Sequence, residues 1–193
     1  MLGNSSDRDS INLANHYARV RNVPQKNIVL LHAPRTEEVG WVEFSQQILN
    51  PLREILIARE LIDGRFGKKE DVFGRRLFVP LSSSAEYLVV CRGIPLRLKN
   101  EASKFSAEQL EKIPVIYRTT TGSVDGELAL LTTGNHSPLG WVPNPLFKRK
   151  QPDSLSLESV VKVSRLDGPT HEASMRLVGL AIAGEQAVYG RAY

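Results

Sequence analysis

The chain has one cysteine, four histidines, two tryptophans and no apolar run of membrane-spanning length. Each scarcity excludes something. A lone Cys91 rules out an intramolecular disulfide and any metal site built from several cysteines. His16, His32, His136 and His171 show neither the i,i+4 nor the short-loop spacing of zinc ligands, so no metal is expected. No stretch approaches the roughly 20 apolar residues needed to cross a bilayer, so no transmembrane segment is expected. The opening MLGNSSDRDS is neither basic nor followed by an apolar stretch. It reads as cytoplasmic by lack of a visible signal, with export open if the chain continues upstream. No glycine-rich nucleotide loop is present, and the sequence assigns no cofactor.

What is there is ordinary for a globular protein. The chain has 193 residues, 41% of them hydrophobic and 24% charged, with a net charge of +4. That length suits one domain with a real core. The basic excess gathers in residues 65–76 (RFGKKEDVFGRR) and 147–150 (FKRK). Neither cluster is interleaved with the aromatics of an RNA-binding phrase, so both read as solvated loop charge and nucleic acid is set aside.

Helical and strand patterns alternate. Asp9 or Ser10 can cap a helix carrying Leu13, Tyr17 and Val20 on one face, stopped at Asn22-Val23-Pro24. Residues 27–33 (NIVLLHA) then form a short apolar run that reads as a covered strand. Phe44, Ile48, Leu52 and Ile55 share a helical face. Pro51 either kinks that helix or opens a second one capped by Asn50, and the second arrangement is preferred. Residues 63–84 read as a surface excursion with a short strand at 77–79. Tyr87–Cys91 (YLVVC) is the clearest strand, ended by Arg92-Gly93. Ser106 to Gln109 is a capping box and Ser123 can cap a helix over 124–131. Residues 134–152 read as a long loop and 160–164 as a strand. A last helix opens near Asp167, turns Ala173, Leu177, Leu180 and Ala181 inward, and stops at Gly184. Residues 189–193 read as the start of another strand. The three apolar strands should be parallel neighbours in an α/β domain, a Rossmann-like three-layer sandwich with a mainly parallel sheet.

Four polar phrases sit at the edges of these apolar runs: NSSDRDS, CRGIPLR, SVDGELALL and SRLDGP. Residues at the carboxyl ends of parallel strands are placed to meet ligands. Arg97, Asp125, Glu127, Arg165 and Asp167 are the candidates. Asp125, Glu127 and Asp167 would be the acids of an acid-based hydrolase, while Arg97 and Arg165, with the polar turn at Asn4 and Ser10, would hold a small anionic or sugar-like ligand. The competing reading is a structural ion-pair lattice. Asp125 and Glu127 are two apart and diverge by roughly 200° on a helix, so they do not converge on one ion. Cys91 has no basic neighbour on its own face of the strand, and reads as a buried, inert thiol.

These phrases resemble an uncharacterised bacterial family found in genomes that carry exosortase (PEP-CTERM) sorting systems. The matching residues are Asn4, Ser10, Arg21, Pro24 and Asn27, then Gly93, Pro95, Leu96 and Arg97, then Ser123 to Asp125 with Glu127 and Leu128, then Arg165 to Pro169. The resemblance implies one α/β domain over 1–193, lacking a first strand before Asn4 and chain beyond Tyr193. It carries no assigned reaction. The charged residues lead the expectation to a ligand-handling domain with a charged rim; the alternative is a non-catalytic or degenerate peptidase-like scaffold that binds a protein partner in envelope or exopolysaccharide biogenesis. At the level of fold the chain is similar to caspase- and gingipain-like domains, whose catalytic histidine would fall where this chain has Cys91-Arg92-Gly93.

Overall fold

A computed structural model describes residues 1–142 and 160–187. The elements run β1 (Leu2–Asn4), α1 (Arg8–Val20), β2 (Val29–Leu31), β3 (Glu38–Val39), α2 (Trp41–Phe44), α3 (Asn50–Ala58), β4 (Ile62–Glu70), β5 (Arg76–Ser83), β6 (Tyr87–Cys91), β7 (Arg97–Leu98), α4 (Ala107–Glu111), β8 (Gly122–Ser123), α5 (Val124–Ala129), β9 (Lys162–Leu166) and α6 (His171–Ala187). The expected strand at 189–193 and the basic run at 147–150 lie outside the described residues.

The main sheet has four strands in the order β2-β1-β6-β9, and every pairing in it is parallel. The fold is therefore α/β. The first strand, expected to be missing, is present as β1 and lies inside the sheet, with Leu2 paired to both Val29 and Val90. Consequently β2 and β6 are parallel but flank β1, and only β6 and β9 of the three expected strands are direct neighbours. A mixed sheet, β3-β7-β8, and a two-stranded antiparallel hairpin, β4-β5, complete the set.

Strand alternation sends side chains to two separate cores. Leu2, Val29, Leu31, Leu88 and Val90 pack with Phe44, Ile48, Leu52 and Leu56 on one face. Cys91 packs with Leu13, Ala14 and Ala18 of α1 and Val178 of α6 on the other. Helix α1 comes close to the sheet because Gly3 has no Cβ; one there would sit 2.9 Å from Leu30 and 3.4 Å from Ser10 Oγ.

Several local expectations change. Asp7, not Asp9 or Ser10, caps α1 by accepting from the Asp9 N–H (3.0 Å). Helices α2 and α3 form one continuous rod, joined by a π-helical turn over Ser45–Leu49, and Asn50 has helical dihedrals (φ −64°, ψ −48°). The wide turn accommodates Pro51, which lacks the N–H an α-turn would use. Asn50 is thereby free to tie the hairpin, donating to Gly74 O at 2.9 Å and accepting from the Arg76 N–H at 3.3 Å. The surface excursion is that hairpin, with Leu77, Val79 and Leu81 on its exposed face. Helix α6 runs past Gly184 and turns Ser174, Met175, Val178 and Ile182 inward, leaving Leu180 63% exposed. Among the described residues no helix is long and apolar enough to cross a membrane.

Candidate functional site

Because the main-sheet strands are parallel, the loops after β1, β2, β6 and β9 leave from one rim. From β1 the chain crosses to β2 on one side, and β6 lies on the other, so a crevice opens at the β1/β6 junction. The chain closes its deepest part by itself. Buried Asn4 donates through Nδ2 to Ala33 O (2.9 Å) and Gly93 O (2.8 Å), and accepts through Oδ1 from the Ser6 N–H (2.9 Å) and the Ala33 N–H (3.3 Å). Ser10 Oγ accepts from the Asn4 N–H (2.9 Å). Both sequence candidates thus join the ends of β1, β2 and β6 to α1, with Asn4's amide wholly engaged by backbone. Gly93 takes φ +89°, and a Cβ there would come within 2.7 Å of Asp7 Oδ2.

Arg165, at the end of β9, is also engaged. Its Nε and Nη2 grip Asp125 of α5 (2.8 and 2.6 Å), while Nη1 and Nη2 donate to Ile94 O (2.8 Å) and Pro95 O (3.0 Å). Asp167 Oδ2 stands 3.9 Å from Nη1, and Asp167 Oδ1 accepts from the Gly168 N–H. The clamp fixes the Ile94-Pro95 loop and α5 to the rim. Arg97 is elsewhere, on β7, pairing with Glu38 across the second sheet (3.0 Å) with both side chains about half exposed. Glu127 faces away from Asp125, as two positions on one helix must, and meets His136 Nε2 at 3.2 Å. Of the predicted set, the structure joins Asp125, Arg165 and Asp167 and separates Arg97 and Glu127 from them.

Beside the clamp lies a cleft of about 320 Å³ lined by Asp7, Arg35, Glu37, Arg92, Gly93 and Asp167, among others. Sequence reasoning passed over Arg92 as a strand terminator and over Arg35 altogether. The signal that finds them is topological: each follows a parallel strand and so must reach the same rim. Arg92 Nη1 donates to Gly168 O (2.8 Å), but its buried Nε has no acceptor. Arg35 and Glu37 have no side-chain partner among the described residues and are exposed. The first turns of α1 and α6 approach one another at this rim, His171 Nδ1 lying 3.8 Å from Asp9 Oδ1, and each first turn carries an acid, Asp9 and Glu172, that offsets the positive end of its helix dipole.

Two nucleophiles can be weighed here. Cys91 is fully buried, and desolvation pushes its thiol up to about 12, so it is unionised at neutral pH. Ser6 Oγ lies 2.6 Å from His32 Nδ1 at the exposed rim. His32 has no carboxylate partner among the described residues, so the pair lacks the third group that orients a catalytic base. No group of three or more metal-ligating side chains occurs among the described residues.

Comparison with known proteins returns nothing: no protein-family model matches the chain, and no curated protein or solved structure is significantly similar to it. The site's chemistry is the only guide to function. Two guanidiniums, Arg35 and Arg92, and three carboxylates, Asp7, Glu37 and Asp167, line the cleft, and guanidiniums are the groups suited to gripping a carboxylate or phosphate.

Proposed function

We propose that this is a ligand-binding α/β protein that captures a small anion-bearing molecule in the rim cleft through Arg35 and Arg92. The observation that carries the reading is the contrast in one short stretch of rim. Arg165 is engaged by protein acceptors, whereas among the described residues Arg92 keeps a buried Nε without one and Arg35 has no side-chain partner. A buried donor left without an acceptor costs roughly 1–3 kcal/mol. The order β2-β1-β6-β9 supports a doubly wound, Rossmann-like sheet, in which ligands sit where the crossovers part. Binding is favoured over acid-based hydrolysis because Asp125 is locked to Arg165 and Glu127 points to a different cleft.

A second reading rests on the hairpin. Leu77, Val79 and Leu81 are each at least half exposed on one face, which favours a scaffold that meets a protein partner, the role the exosortase-associated resemblance also allows. Calorimetric titration with phosphate, pyrophosphate and succinate separates the two. The ligand reading expects saturable binding of at least one anion, weakened tenfold or more by Arg35→Ala and by Arg92→Ala, with unchanged unfolding midpoints. Absence of binding, or binding indifferent to both substitutions, overturns it.

A further inference from the structure

A second cleft, of about 360 Å³, opens on the side of α5 that Glu127 faces. Its size falls within the range of small-molecule sites, about 300–1,000 Å³. Its chemistry is unlike that of the rim. Among the described residues no arginine or lysine lines it; the wall is Trp41 and Trp141 with Thr121, Ser123, Ser137 and the Glu127–His136 pair. Trp41 is 1% exposed and donates from Nε1 to Thr120 O (2.9 Å), so it forms part of the fixed frame. Trp141 is 55% exposed, braced by Tyr117 at a centroid distance of 4.5 Å, and so offers a supported aromatic surface.

The polar groups are arranged to exchange hydrogen bonds with a neutral partner. Ser123 Oγ accepts from the Gly126 N–H (3.3 Å) and Ser137 Oγ from the Leu139 N–H (3.2 Å), so the hydroxyl protons of both remain to be donated. Glu127 is held at 3.2 Å from His136, whose own backbone carbonyl accepts from Arg75 Nη1 (2.8 Å). With side chains 14% and 23% exposed, Glu127 and His136 are shielded but reachable from the cleft. An acceptor carboxylate, donor hydroxyls and an aromatic platform, with no cation among the described lining residues, match a ring that is apolar on its face and hydroxylated at its edge.

From this we infer that the second cleft is a binding site for an uncharged sugar, its ring stacked on Trp141 and its hydroxyls shared between Glu127, Ser123 and Ser137. The described lining supports binding and not glycoside hydrolysis. Among the described lining residues Glu127 is the sole carboxylate, whereas hydrolysis of a glycosidic bond ordinarily needs two flanking the scissile oxygen. The inference is independent of the anion reading, since the two clefts share no lining residue.

Saturation-transfer NMR and tryptophan fluorescence with glucose, galactose, N-acetylglucosamine, maltose and cellobiose provide the test. At least one should bind saturably. Trp141→Ala should weaken that binding tenfold or more, and the isosteric Glu127→Gln should weaken it several-fold, while Arg97→Ala leaves it unchanged. Trp141 is exposed, so its substitution should not unfold the protein, and Glu127→Gln provides the check if it does. No binding by any of the five sugars, binding unaltered in both cleft variants, or binding of indole in place of every sugar overturns the inference.

Discussion

Two arginines on adjacent strands of one sheet, Arg165 on β9 and Arg92 just after β6, differ in what surrounds them. Arg165 enters a site where a bidentate carboxylate and two backbone carbonyls are waiting, and its side chain is only 12% exposed. Arg92 makes a single carbonyl contact and borders open space. The two differ in their surroundings more sharply than in their position in the fold. A guanidinium surrounded by protein acceptors holds loops together. One left short of acceptors beside a cleft is available to a ligand.

Breaking the structural side of that comparison should have the largest effect. Arg165→Ala strands the Asp125 carboxylate and two carbonyls, and should cost about 3–5 kcal/mol in a denaturant melt. Asn4→Ala comes next: Ala33 O and Gly93 O lose a buried donor where β1, β2 and β6 meet, at about 2–4 kcal/mol by the same measurement. Cys91 sharpens the picture through pH. Its thiol ionises near 9 when unfolded but is pushed up to about 12 when buried, so the native state holds its proton longer. Stability present below pH 9 is therefore lost as pH rises toward 12, by at most about 1.4 kcal/mol per unit. The stability advantage of wild type over Cys91→Ala should shrink across that window, and a thiol reagent should label the native protein slowly at neutral pH. Arg97→Ala should change stability least, by less than about 1 kcal/mol, because its pair with Glu38 is half exposed.

Much of the fold was legible where pattern and propensity agree. YLVVC is β-favouring throughout and became β6 with the bounds read from sequence, and the Ser106–Gln109 capping box is present. The first strand escaped notice because Leu2–Asn4 offers three residues, one of them glycine, too few for any period to show. In α6, Leu177, Val178, Leu180, Ala181 and Ile182 spread apolar groups around the helix, so spacing could not select the buried face. The hairpin was read only in part, as a surface excursion with a strand at 77–79. Its alternating Leu77, Val79 and Leu81 face outward, while Phe66 and Phe78 pack together toward the core.

The candidate site was half legible. Motif position led to Arg165, Asp125 and Asp167, but a motif records that side chains are specified, not whether they meet protein or ligand. Arg35 belongs to no phrase, and only the parallel pairing of β1 with β2 brings its loop to the rim.

The most direct test is NMR of the arginine guanidinium groups during titration with the anion that binds. The account predicts that the Arg92 Nε–Hε resonance, which has no protein acceptor among the described residues, shifts progressively to saturation while that of Arg165, held on Asp125, stays in place. A shift confined to Arg165, or no movement in either as the anion binds, would contradict it.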